Sequence, residues 1–286
     1  MGSLKNITVL GTGVLGLQIA YQTAYKGFPV VAYDINDEVI EKAKARALDL
    51  ATTYKEQVPG AADGLADAAL DRITFSSDLA DAVKDADLVI EAIPENIDIK
   101  KDTYTKLGAL APEKTIFATN SSTLLPSDLM EFTGRPDKFL ALHFANKVWV
   151  FNAAEIMGTE KTDLAAFQAV SAFAGEIGMV PIEIKKEKAG YVLNSLLVPL
   201  LNAASDLLTD GIAEPEMIDK TWRIGTGAPF GPFQMFDVIG LTTAYNVSSV
   251  GGPKQQAFAA YIKENYIDKG KLGLSTGEGF YSYPTK

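Results

Sequence analysis

"NITVLGTGVLGLQIAYQTAYKG", residues 6–27, decides the fold. Asn6 to Leu10 is a short apolar run rich in β-branched residues, the pattern of a buried strand. Gly11, Gly13 and Gly16 follow in the order G-x-G-x-x-G, with Val14 and Leu15 between the last two. An apolar-periodic stretch then runs to Gly27 and predicts a helix. Such a glycine pattern alone is weak, because glycines mark many turns. Between a strand and a helix it has a physical purpose. Gly11 permits the tight turn, Gly13 lets a pyrophosphate approach the backbone, and Gly16 allows close helix–strand packing. The helix N-terminus presents its unpaired N–H groups to the phosphates.

An acidic residue is then expected about 20 residues on. Asp34 stands there, at the end of the second predicted strand, "PVVAYD" (29–34). A carboxylate in that place accepts hydrogen bonds from ribose hydroxyls and repels a 2′-phosphate. Ile35 and Asn36 supply no arginine to hold one, so the expected cofactor is NAD(H) and not NADP(H).

The same rhythm continues outward. "RITFSS" (72–77), "DLVIEAIP" (87–94), "TIFATNSS" (115–122), "FLALHF" (139–144), "NAAEIMG" (152–158) and "MVPIEIK" (179–185) read as further strands, with helical patterns between several of them. Alternating strands and helices predict a mostly parallel, doubly wound sheet covered on both faces, a Rossmann-type α/β domain over residues 1–184. After Ile184 strand patterns stop. "AGYVLNSLLVPLLNAASDLLTDG" (189–211) and "AEPEMIDKTWRIG" (213–225, with Gly225 as its cap) predict helices, and more follow. Residues 185–286 are therefore expected to be an all-α domain.

Composition agrees with two domains. The chain has 286 residues, 47% hydrophobic and 22% charged, within the range of soluble globular proteins. The net charge of -10 argues against a nucleic-acid or anionic membrane partner, since both require clustered Lys and Arg. Absence of cysteine excludes disulfides, Cys-based zinc sites and thiol nucleophiles. It also fits a reducing, cytoplasmic setting. The opening "MGSLKNITVL" shows no signal-peptide pattern, and no apolar run reaches membrane-spanning length. No metal is expected.

His143 is the only histidine in the chain, and it ends the strand "FLALHF". Glu155 follows twelve positions later on the next strand. With a turn between, the two can face each other on neighbouring strands. A carboxylate beside an imidazole orients it and stabilises its charged form. That pair suits proton transfer in a hydroxyl-to-ketone oxidation.

The motifs "GTGVLG", "YD", "VIEAIPEN", "TNSSTL", "LHFAN" with Glu155, "GYVLNSLLVP", "GPF" and "STGEGFY" occur in that order. Together they resemble the L-3-hydroxyacyl-CoA dehydrogenase family, bacterial 3-hydroxybutyryl-CoA dehydrogenases included, over nearly the whole chain. The resemblance implies His143 as catalytic acid/base and Glu155 as its partner. It implies Ser122 and Asn194 as groups that position the reacting oxygen, with Asn146 beside them. Glu95, Lys100 and Asn120 would lie at the nicotinamide end of the cofactor. Each has a plainer reading too. Asn120 and Ser122 suit a helix cap, Asn194 a helix interface, and Glu95 and Lys100 solvated charges. The helical domain would carry substrate contacts and form a homodimer.

Several positions depart from the family pattern. Lys147 and Trp149 stand after "HFAN" where a proline is usual, and are candidate substrate contacts. The stretch 47–72 carries Lys55 and Arg72 against Asp49, Glu56, Asp63, Asp67 and Asp71, where relatives carry several lysines for coenzyme A phosphates. Ser195 replaces an arginine after Asn194, and Leu274 and Ser275 replace a basic pair. The departures in residues 47–72, at Ser195 and at Leu274 and Ser275 all remove positive charge. The expected activity is NAD-dependent interconversion of short-chain L-3-hydroxyacyl-CoA and 3-oxoacyl-CoA, as in fatty acid metabolism. The alternatives are the same chemistry on a small non-CoA hydroxy acid or ketone, and a non-catalytic NAD-binding structural protein.

Overall fold

The computed structural model describes residues 4–284. The chain forms two compact units, one reaching to Val192 and the other starting at Leu193.

All eight expected strands form in the first unit. They are β1 (Ile7–Leu10), β2 (Val30–Tyr33), β3 (Ile73–Ser76), β4 (Leu88–Glu91), β5 (Ile116–Thr119), β6 (Phe139–Phe144), β7 (Ala153–Gly158) and β8 (Val180–Ile184). They make one sheet in the order β3-β2-β1-β4-β5-β6-β7-β8. Every pairing is parallel except β6 with β7. The link from Ala145 to Asn152 is too short for a parallel crossover, which needs a dozen or more residues, so the chain doubles back. β1, β4 and β5 are buried along their whole length. This explains why they read as unbroken apolar runs and do not alternate.

Helices α1 (Val14–Tyr25), α2 (Asp37–Gln57), α3 (Leu65–Leu70), α4 (Leu79–Val83), α5 (Ile97–Leu110) and α6 (Leu164–Glu176) cover the sheet. One apolar layer gathers Ile7, Val9, Ile19 and Tyr21, and the other Leu10, Val89, Tyr104 and Phe117. From β1 the chain builds outward through β2 and β3, then returns to place β4 on the other side of β1. In open α/β sheets the crevice at such a reversal, outside the carboxyl ends of the strands, is where ligands bind.

The second unit holds α7 (Leu193–Thr209), α8 (Pro215–Thr226), α9 (Pro232–Ile239), α10 (Leu241–Ser249) and α11 (Pro253–Asn265), with no strand among its described residues. Pro215, Pro232 and Pro253 each open a helix, where the missing N–H costs nothing. Phe233, Phe236 and Phe258 form the centre, with Phe280 packed against them. Two buried carboxylates tie the C-terminal tail down. Asp237 accepts from the N–H groups of Phe280 and Tyr281 and from the Tyr283 hydroxyl. Asp219 accepts from the N–H groups of Phe233 and Gln234 and from the Tyr281 hydroxyl.

Three local expectations shift. The predicted helix from residue 189 starts at Leu193, because Ala189 to Val192 is pulled into a turn against the first unit. There Gly190 N–H donates to Ser122 O and Val192 N–H to Glu155 Oε1. The expected boundary after Ile184 moves with it, to Val192. Helix α8 ends at Gly227 and not Gly225, since Gly227 takes the left-handed conformation (φ 74°) and its N–H closes on Arg223 O. Helix α9, unmarked in the sequence reading, is only eight residues long.

Candidate active site

The β1–α1 loop has the geometry its glycines predict. Gly11 has φ +89°, and a Cβ there would meet Ala92 O at 2.6 Å. A Cβ on Gly16 would sit 2.0 Å from Gly11 O, so only glycine lets α1 come this close. Gly13 is different. A Cβ there would meet nothing within 4 Å, so the space beside its backbone is open. No side chain caps the helix at Gly13, which leaves the first-turn N–H groups available to an anion.

Asp34 is half-buried beside this loop. Its Oδ2 accepts from Thr12 N–H and Thr12 Oγ1, both at 2.7 Å, and its Oδ1 from Ile35 N–H at 2.8 Å. The carboxylate therefore pins the loop as well as standing where a ribose is read. Arg46, which the sequence reading did not single out, donates to Thr12 O at 2.8 Å.

A cavity of about 210 Å³ opens at the loop, lined by Gly13, Val14, Leu15, Gly16, Glu95, Lys100, Asn120 and Ser122, with Ala92 and Ile93. Positions more than a hundred residues apart thus meet at the ends of β1, β4 and β5. An open glycine edge, an uncapped helix start and an acid at the second strand fit an NAD pyrophosphate and ribose.

Beneath the cavity lies a network the sequence reading missed. Glu91 is completely buried and accepts from Lys100 Nζ (2.5 Å), Ile93 N–H (2.9 Å), Tyr104 OH (3.1 Å) and Thr119 Oγ1 (2.9 Å). A buried charge survives only when paired and hydrogen-bonded. The visible signal was an acid inside the apolar run "DLVIEAIP". Burial, and next the Glu91 charge, push the Tyr104 hydroxyl well above its ordinary pKa, so it remains a donor. Lys100 reaches Glu95 at 3.4 Å as well, so Lys100 is a buried pillar and not the solvated charge its plainer reading offered. Burial opposes ionisation of Glu95. Hydrogen bonds from Ser121 and Thr123 and the Lys100 charge outweigh it and hold its pKa at about 2.

Ser122 links this cavity to the histidine. His143 and Glu155 are directly opposite in the antiparallel β6–β7 register. The imidazole Nδ1 lies 3.1 Å from Glu155 Oε2, and its Nε2 lies 3.0 Å from Ser122 Oγ. Both His143 and Glu155 are buried. Asn120 accepts from Phe144 N–H at 2.9 Å and so fastens β5 to β6 next to the histidine. With Glu155 on Nδ1, the ring offers Nε2 for proton exchange. Tyr191, absent from the sequence candidates, stacks on the His143 ring at 4.3 Å and 7°.

Asn146, Lys147 and Trp149 are not among the residues that line this cavity. Asn146 is exposed in the turn after β6. Lys147 has φ 60° and donates its N–H to Gln18 Oε1 at 2.7 Å. Trp149 donates to Gln57 Oε1 at 2.9 Å, and its ring lies 5.3 Å from that of Tyr54. It lines a second, smaller cleft of about 110 Å³ with Tyr25, Val58 and Gly178. Asn194 stands on the first turn of α7, in the second unit. Among the described residues no group of three His, Cys, Asp or Glu side chains could hold a metal. Among the same residues no helix is long and apolar enough to cross a membrane.

A glycine-loop cofactor cradle beside a histidine–carboxylate pair defines an NAD-dependent oxidoreductase. Residues 6–188 match the pattern described as "3-hydroxyacyl-CoA dehydrogenase, NAD binding domain", and residues 190–283 match "3-hydroxyacyl-CoA dehydrogenase, C-terminal domain". The chain belongs to the 3-hydroxyacyl-CoA dehydrogenase family. It is 34% identical to mitochondrial hydroxyacyl-coenzyme A dehydrogenase of Rattus norvegicus, over 98% of this chain and 91% of that protein. A solved structure of a diketoreductase, described as acting on dicarbonyl compounds, is 71% identical with a TM-score of 0.96, covering 99% of this chain and all of that one. The (S)-3-hydroxybutyryl-CoA dehydrogenase of Ralstonia eutropha is 33% identical with a TM-score of 0.80, covering 99% of this chain and 100% of that one.

Proposed function

We propose that this protein interconverts a ketone and a secondary alcohol on a small dicarbonyl or hydroxy-acid substrate, with NADH or NAD as partner. In the reducing direction His143, as imidazolium, gives its Nε2 proton to the carbonyl oxygen. Ser122 Oγ, 3.0 Å from that nitrogen, donates to the same oxygen and fixes its place. Glu155 holds the ring through Nδ1 and stabilises its positive charge. Family membership supports Asn194 as a group that orients the substrate. The cofactor supplies or takes the hydride. In the oxidising direction neutral His143 accepts the hydroxyl proton.

The observation that carries this reading is the alignment of Ser122, His143 and Glu155 beside the NAD cradle. Choice of substrate rests on charge. Lys55 is paired with Asp67 at 2.7 Å, and Arg72 donates to Ala68 O. Both basic side chains of residues 47–72 are thus engaged locally, which leaves few charge-assisted bonds there for coenzyme A phosphates. The 71% identity to a diketoreductase points the same way. The second reading, short-chain 3-hydroxyacyl-CoA, is favoured by the family itself. Initial rates with NADH on acetoacetyl-CoA and on small diketo or keto acids decide between them. A higher kcat/KM for the thioester overturns the first reading. A homodimer formed through the helical unit, and a cytoplasmic location, belong to the same proposal. Sedimentation tests the dimer, and cell fractionation tests the location.

A further inference from the structure

Tyr191 belongs neither to the cofactor loop nor to the proton-transfer pair, yet its place is held against backbone preference. Among the described residues, only it and Lys147 have positive φ without being glycine, and Tyr191 stands at 52°. A bulky residue in that region is strained, and such strain persists only where surroundings enforce it. Three contacts enforce it here. The ring lies parallel on the His143 imidazole, 4.3 Å away. The hydroxyl donates to Ser121 O at 2.7 Å. The next residue's N–H, on Val192, donates to Glu155 Oε1 at 2.9 Å. One turn therefore touches all three members of the Ser122–His143–Glu155 chain, directly or through a neighbour.

We propose that Tyr191 is a positioning residue for the reaction, its ring holding the His143 imidazole flat while its turn sets Ser122 and Glu155 at either end. The inference rests on the reading of His143 as the proton-transfer group. Two in-plane hydrogen bonds at Nδ1 and Nε2 stop the imidazole sliding but leave it free to rock about the axis through those atoms. A parallel ring on one face blocks that motion. The electron-rich face of a tyrosine also favours a cation above it, so the stack is strongest when His143 carries the proton. Glu155 on β7 is the charged group in the imidazole plane, and Ser122 at the other end is neutral. Burial, then the charges of Glu155, Glu95 and Glu91, push the Tyr191 hydroxyl upward in pKa, so it stays a donor to Ser121.

The single histidine makes the test direct. Isotope-labelled histidine in protein freed of any purification tag gives one imidazole signal. With the stack present, ring current moves its Cε1–H signal upfield of an exposed histidine. Tyr191→Phe keeps that shift and Tyr191→Leu loses it. In alcohol oxidation, where neutral His143 is needed, Tyr191→Leu moves the acidic limb of the pH–rate profile to lower pH by about 0.4–1.5 units. It also lowers kcat about tenfold or more through loss of geometry, with KM for NAD unchanged. Tyr191→Phe keeps the limb in place. A wild-type signal at the exposed position overturns the proposal, even if the leucine variant does not fold. So does an equal displacement of the limb in both variants, or a wild-type profile in Tyr191→Leu. His143→Ala separates the two readings. Full activity in that variant removes the proton-transfer role and leaves the wild-type stacking signal intact.

Discussion

Replacing Glu155 by glutamine tests the site most directly, because the substitution keeps shape and removes charge. Two unit charges at the 3.1 Å separation of His143 Nδ1 and Glu155 Oε2 attract by about 5 kcal/mol at an effective dielectric near 20. The amide dipole retains roughly half of that, so about 2–3 kcal/mol of transition-state stabilisation is lost, or roughly 30- to 150-fold in kcat. Geometry adds to the loss. Glu155 Oε1 accepts from Val192 N–H while Oε2 faces His143 Nδ1. A glutamine that serves Val192 with its oxygen turns its NH2 toward Nδ1 and forces the proton onto Nε2, the wrong tautomer for a base. A glutamine that serves Nδ1 turns its NH2 against Val192 N–H. The assay is NADH absorbance in both directions at saturating substrate, with a thermal melt to establish folding. Alcohol oxidation falls further than ketone reduction, and its acidic limb moves to lower pH. A folded Glu155→Gln enzyme with kcat within about threefold of the parent refutes the reasoning, since even the smallest loss in that range exceeds it.

Other perturbations probe other parts of the molecule. Asp34→Ala narrows the preference for NADH over NADPH by about tenfold or more in kcat/KM, as the carboxylate that repels a 2′-phosphate goes; an unchanged ratio removes Asp34 from cofactor choice. Gly16→Ala puts a Cβ 2.0 Å from Gly11 O and abolishes NADH binding in a fluorescence titration, whereas Gly13→Ala, with open space around its Cβ, folds normally and weakens binding only through contact with the cofactor. Glu95 has its pKa depressed from 4.5 to about 2, so its contribution to stability is present above pH 4.5 and disappears as pH falls toward 2. Its side chain is 38% exposed, so after screening the contribution is about 1 kcal/mol; denaturant melts of Glu95→Gln show a flatter acid limb than the parent. Asp237→Asn leaves one of three donors, from Phe280, Tyr281 and Tyr283, facing an amide NH2, and lowers unfolding stability by about 1–3 kcal/mol without changing KM for NADH.

The strands were legible because their physics is local. Asn6 to Leu10 and Asp87 to Pro94 are short apolar runs closed by turn residues, and a chain alternating such runs with helices has few sheets it can build. The glycine loop was legible for the same reason, since Gly11 and Gly16 answer constraints imposed by immediate neighbours and by the next strand. Pairing of His143 with Glu155 needed only a period of two and a turn. Charge removal along residues 47–72 was also open to reading, and Lys55 proves to be paired with Asp67 on α3 while Arg72 donates to Ala68 O.

Trp149 shows where such reading stops. Its nearness in sequence to His143 suggested the substrate pocket, yet a two-stranded turn points neighbouring side chains in different directions, and Trp149 packs by Tyr54 and Gln57. Glu91 went unmarked within an apolar strand, because its four donors, from Ile93, Lys100, Tyr104 and Thr119, meet it only in the fold. Tyr191 lay inside what read as a helix, since helical periodicity takes no account of a turn held by Ser121 and Glu155. The sequence by itself determined the sheet and the cofactor and set His143 opposite Glu155 on neighbouring strands, all of which follow from short-range pattern and chemistry. Only the tertiary structure decided what surrounds that pair, because side chains distant in sequence converge on it solely through the packing of β4, β5, β6 and the turn before α7.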